Sequence, residues 1–153
     1  MSEITLYPVW RQAVKDFIDA GISDGDILPH SWLEERFGMK ALDDDDVLTP
    51  AAFQDRQFAW LRNLEAFRAQ LLEKHQIFLQ SVHGRGYRVV PAREQTAAAQ
   101  EKFEREATKA FRRAATTLKN VRLDELSDTE RKENTDAIAK LSMLRGMQRG
   151  ALE

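Results

Sequence analysis

From residue 49 to residue 91 the chain reads TPAAFQDRQFAWLRNLEAFRAQLLEKHQIFLQSVHGRGYRVVP. Thr49-Pro50 has the form of a helix N-cap followed by a first helical residue, where the missing proline N–H costs nothing. Phe53, Trp60, Leu64, Phe67 and Leu71 recur at helical spacing and Leu61 widens the stripe, which predicts a long amphipathic helix over 50–74. Glu73-Lys74-His75-Gln76 closes it. Two short strands, 77–82 and 87–90, then flank His83-Gly84-Arg85-Gly86. The glycines supply the positive φ that such a turn requires, and Pro91 ends the second strand.

The segments before it are shorter. Trp10, Ala13, Val14, Phe17 and Ile18 lie on one face of a helix within 7–21, and Gly21 is a natural stop. Ser23-Asp24-Gly25-Asp26 is turn chemistry, and Ile27-Leu28 is a strand stub. Pro29 suits the start of a short helix carrying Trp32, Leu33 and Phe37, which Gly38 ends. The order over 7–90 is therefore helix, strand stub, short helix, loop, long helix, hairpin, which is the order of a winged helix-turn-helix.

Particular residues carry a family resemblance. GDILPHSWLEERFG resembles the start of the winged helix in GntR-type bacterial regulators, where a Gly-Asp and a Leu-Pro precede a Leu-x-x-x-hydrophobic-Gly helix. LEAFRAQLLEKHQIFLQSVHGRGYRVV resembles their recognition helix and wing. Val82, Gly84, Gly86, Tyr87 and Arg88 are also similar to the wing of OmpR/PhoB-type effector domains, with His83 and Arg85 at its variable points. The sequence departs from the GntR pattern in a longer segment, containing Asp43 to Asp46, between the two helices. The whole resembles the small proteins of phages and mobile elements. The resemblance implies a winged-helix domain over 1–92, followed by a helical segment over 93–153, and a transcriptional or replication regulator that binds double-stranded DNA.

On that basis the long helix reads the major groove and the turn at 83–86 the flanking groove. Arg56, Arg62 and Asn63 lie opposite the apolar stripe; arginine bonds guanine bidentately and asparagine bonds adenine. Arg85 at the hairpin tip has the reach and charge for a narrow minor groove. His83, Arg88 and the helix start at His30 and Ser31 are candidates to hold phosphates, which position without specifying. Tyr87 and Val89 are expected to face the core.

Charge is divided along the chain. Residues 1–55 hold four Arg/Lys against twelve Asp/Glu, residues 56–94 seven against three, and residues 95–153 twelve against ten. The basic middle coincides with the long helix and hairpin, while the acidic first third supports a second class of function. This is a non-enzymatic protein-interaction module, such as a phage-encoded inhibitor of a host nucleic-acid enzyme, that meets a basic partner.

Several chemistries find no support. There is no cysteine, so disulfides and thiol chemistry are excluded. His30, His75 and His83 lack ligand spacing, and the four aspartates lack the spaced oxygens, central glycine and closing Glu of a calcium loop. No Ser-His-Asp order, nucleophile elbow or phosphate-binding loop occurs, so neither an enzyme nor a cofactor or metal is expected. Met1 to Tyr7 has no leader-like form, and no stretch approaches the roughly 20 apolar residues of a membrane span, so a cytoplasmic protein is expected.

Beyond residue 92 two more helices are expected. Phe103, Ala107, Ala110, Phe111, Ala114 and Leu118 share one side of the first. Ser127-Asp128-Thr129-Glu130 is a capping box, and Ile138, Leu141 and Leu144 continue the second. These helices are expected either to dock on the winged helix or to hold a homodimer together, and a dimer would supply the two half-sites such regulators read.

Overall fold

A computed structural model describes residues 7–40, 42, 43 and 45–151. Residues 1–6, read above for a leader, and Asp44 of the aspartate run lie outside the described residues. The protein is mainly helical, with one small antiparallel sheet, and divides into two compact units, residues 1–95 and 96–153.

The first unit runs α1 (Val9–Asp19), β1 (Ile27–Leu28), α2 (His30–Arg36), α3 (Pro50–His75), β2 (Leu79–Val82) and β3 (Gly86–Val89), and contains the first residues of α4 (Ala92–Lys119). α3 begins as its sequence dictates: Ala52 N–H donates to the Thr49 hydroxyl at 3.1 Å. At its far end Gln76 turns left-handed, with φ 54°, and Ile77 N–H donates back to the Leu71 carbonyl at 3.0 Å. That reversal uses up residues 76–78, so β2 starts at Leu79 rather than at residue 77.

β3 is the centre of the sheet, in the order β1-β3-β2. Leu79 pairs with Val89 and Val82 with Gly86, while Ile27 and Leu28 pair with Arg88 and Tyr87. The expected hairpin thus gains a third strand. Two residues are too few to show a period of two, so only the pairing reveals β1 as more than a stub.

The core of this unit forms where α1, α2, α3 and the sheet meet. Ala13, Val14 and Phe17 come from α1, Leu33 and Phe37 from α2 and its end, Leu64, Phe67 and Leu71 from α3, and Leu28, Leu79, Tyr87 and Val89 from the sheet. Phe67 is its hub. The rings of Phe17, Trp32 and Phe37 lie 6.1, 6.3 and 6.0 Å from it, two of them edge-on. Tyr87 and Val89 face inward as expected, and Arg68 lies over the Tyr87 ring at 5.1 Å while donating to the Leu79 carbonyl at 2.7 Å. Arg36 ties α2 to α1 through Asp16 at 3.3 Å.

The second unit contains the rest of α4, a short 3₁₀ turn (Leu123–Glu125) and α5 (Asp128–Ala151). The capping box forms: Ser127 N–H donates to Glu130 Oε1 at 3.1 Å and Glu130 N–H to Ser127 Oγ at 3.2 Å. Asn134 Nδ2 donates to the Leu118 carbonyl at 3.1 Å and so joins α5 to α4. Among the described residues no helix is long and apolar enough to cross a membrane.

Candidate nucleic-acid interface

The hairpin turn is built by two glycines. Gly84 has φ 72°, and Arg85 N–H closes the turn on the Val82 carbonyl at 3.0 Å. Gly86 has φ 137°, and a Cβ there would run into the Leu28 carbonyl and come within 2.9 Å of Pro29 Cα. Closing the turn on these terms leaves His83 and Arg85 exposed at its tip, with no ion pair among the described residues. Arg88 is placed differently. It sits one residue along from Tyr87 in β3, half-buried, and bonds the Glu94 carboxylate at 3.2 Å.

α3 buries the C-terminal part of the stripe its sequence suggests. Its buried line is Leu64, Phe67 and Leu71, with Trp60 partly covered. Leu61 and Phe53, counted in the expected stripe, are 50% and 48% exposed. Leu61 falls too far around the helix from Phe67. Phe53 lies on the right side of the helix but lines an open cleft with His30, Met39 and Trp60. At 100° per residue Arg56 and Asn63 fall about 50° and 70° from the centre of this line, so they flank the apolar stripe rather than lie opposite it as expected. Arg56 has a side chain only 22% exposed, bonded to Glu34 at 3.7 Å, and shares a second cleft with Asp46. Asn63 is half-buried, whereas Arg62 is exposed with no ion pair among the described residues.

The outward face of α3 holds three large apolar groups that the sequence reading did not single out as exposed. Phe58 is 57%, Leu61 50% and Leu72 48% exposed. They recur at positions 58, 61 and 72, with Glu65 between. A second helical period out of phase with the first was the available signal.

At the start of α2, Ser31 is exposed and Pro29 serves as the cap without a side-chain bond. The His30 ring packs beside Trp60 at 5.8 Å and Tyr87 at 5.6 Å, so it joins α2, α3 and β3 while keeping an exposed edge. The aspartate run is a solvated turn at its described positions. Asp46 accepts from Asp43 N–H at 2.7 Å and lies 3.8 Å from Lys40. Among the described residues no group of histidines and acids could hold a metal ion.

Of the eight expected contact residues, Arg62, His83, Arg85, His30 and Ser31 are thus on the surface, while Arg56 and Arg88 are committed to acids and Asn63 is half-buried. No protein-family model matches this chain, and no curated protein or solved structure is significantly similar to it.

Proposed function

We propose that residues 1–95 form a winged-helix module that binds double-stranded DNA, as a sequence-specific regulator of transcription or replication. The observation that carries this reading is the element order, with β1 paired to the second strand of a hairpin whose tip holds Arg85 and His83 in solvent directly behind α3. Arg62 is the group on α3 with the chemistry and exposure for base-edge contact. Arg85 supplies groove and phosphate charge at the tip. Arg56, held by Glu34, is a structural residue in this scheme.

The test is duplex binding by the full chain across a salt series. Affinity falls steeply with salt, and Arg85→Ala weakens binding to all sequences while lowering the salt slope by about one. Arg62→Ala costs about 1–3 kcal/mol at preferred sites and much less elsewhere. Affinity unchanged by both substitutions, or no binding at low salt, sinks this reading.

The outward apolar face of α3 favours a second reading, in which the same scaffold binds a protein, for example as an inhibitor of a nucleic-acid enzyme. Phe58 and Leu61, 57% and 50% exposed, suit an apolar partner surface better than the water and phosphate of a DNA groove. The acidic first third suits a basic rim. Failure to bind duplex DNA, together with a partner that is lost on Phe58→Asp, supports this reading against the first.

A further inference from the structure

The second unit has a surface without a core. No residue from 99 to 150 is buried, although this stretch contains most of two long helices. Where α4 and α5 face each other, Phe111, Ala114, Leu118, Ile138 and Leu141 reach only half-burial. Phe103, Leu144 and Met147 stand 54%, 43% and 64% exposed. The Asn134–Leu118 bond sets residue 103 near the level of residue 147, and helical geometry turns Phe103 and Leu144 to the same open side. Two helices alone seldom hold a stable hairpin in water, because each keeps an uncovered flank.

Charge indicates what covers this side. In α4, residues 92–106 hold three Arg/Lys against four Asp/Glu, whereas residues 107–119 hold four against none. In α5, residues 128–136 hold two against four, and residues 137–151 three against none. Both helices therefore run from an acidic half to a basic half. A second copy laid antiparallel sets acidic against basic along α4 and again along α5. A parallel copy sets like against like on each. Self-complementarity under a twofold axis is what an isologous interface requires.

We propose that a second copy of this chain covers the Phe103, Leu144 and Met147 side, its α4 antiparallel to the first α4 and centred near residue 109, which makes a four-helix bundle. Glu106 of each copy then lies beside Arg113 of the other. Both side chains are exposed in the single chain. The interface does not depend on what the first unit binds.

The test is equilibrium sedimentation of the full chain with its variants. The parent chain is a dimer at micromolar concentration. Phe103→Glu combined with Met147→Glu gives a monomer, and far-ultraviolet circular dichroism with the near-ultraviolet signal of the Phe67 core reports that the first unit remains folded. Glu106→Arg and Arg113→Glu each raise the dimer dissociation constant about tenfold or more. An equimolar mixture of these two variants restores parental affinity, since both cross-pairs are then opposite in sign. The chain has no cysteine, so Ala110→Cys adds a single thiol beside the axis. It cross-links the dimer on oxidation, and Ala99→Cys does not. A monomeric parent chain at about 100 μM overturns the proposal. Dimerisation unmoved by the Phe103 and Met147 changes, or cross-linking at 99 as readily as at 110, overturns it equally.

Discussion

Gly86 shows how much one backbone position can decide. It sits at φ 137° directly against β1, so an added methyl meets the Leu28 carbonyl as well as an unfavourable dihedral. Gly86→Ala is expected to destabilise the first unit by about 2–4 kcal/mol, read from denaturant unfolding. Gly84→Ala, with open space around its Cα, costs less despite its φ of 72°. The need for glycine in this turn was legible in the sequence; which glycine bears the packing was not, because β1 pairs from sixty residues away in the chain. The same limit applied to Arg56. Its helical position was readable, but its partner Glu34 belongs to another helix, and only the tertiary arrangement joins them.

At the scale of elements, local signals performed well where the chain speaks to itself. The N-cap at Thr49, the capping box at Ser127 and the ends of α3 all follow from short patterns whose partners lie within a turn. The capping box also makes a pH prediction. The Ser127 N–H, and secondarily its hydroxyl, holds the fully exposed Glu130 carboxyl below the usual carboxylate range. A depressed pKa stabilises the helix above the unfolded value, and that contribution disappears as pH falls through the folded one. The first turn of α5 should therefore lose helicity on acidification, seen in amide chemical shifts of 128–131, and Glu130→Gln should flatten this dependence. What local signals missed was how much of a stripe is covered. The stripe on α3 is legible, but only Leu64, Phe67 and Leu71 are buried, because those are the turns that α1, α2 and the sheet cover. Phe53 and Leu61 have the right residue type without an element opposite them.

For the whole molecule, the decisive sequence property is distribution rather than total. A net charge of -2 conceals an acidic first third, a basic middle and helices that change sign along their length. The first unit has a buried core of its own, whereas the second buries none of its large side chains and leaves Phe103, Leu144 and Met147 exposed. If a second copy covers them, folding is linked to association by mass action. The melting temperature should then rise with protein concentration, by calorimetry over a hundredfold range, and the Phe103→Glu, Met147→Glu variant should lose that rise. Neither partner nor register could be read from periodicity alone, since heptad-like spacing serves a hairpin and a bundle equally.

α4 starts at Ala92 and continues unbroken past the boundary at residue 95. If two copies cross near residue 109 as proposed, their residues 95 stand about 40 Å apart along the paired axes. Successive major-groove faces of B-DNA recur every 34–36 Å or so. Were the first unit to bind duplex DNA as proposed, a palindrome with arms one helical repeat apart would be the first sequence to test.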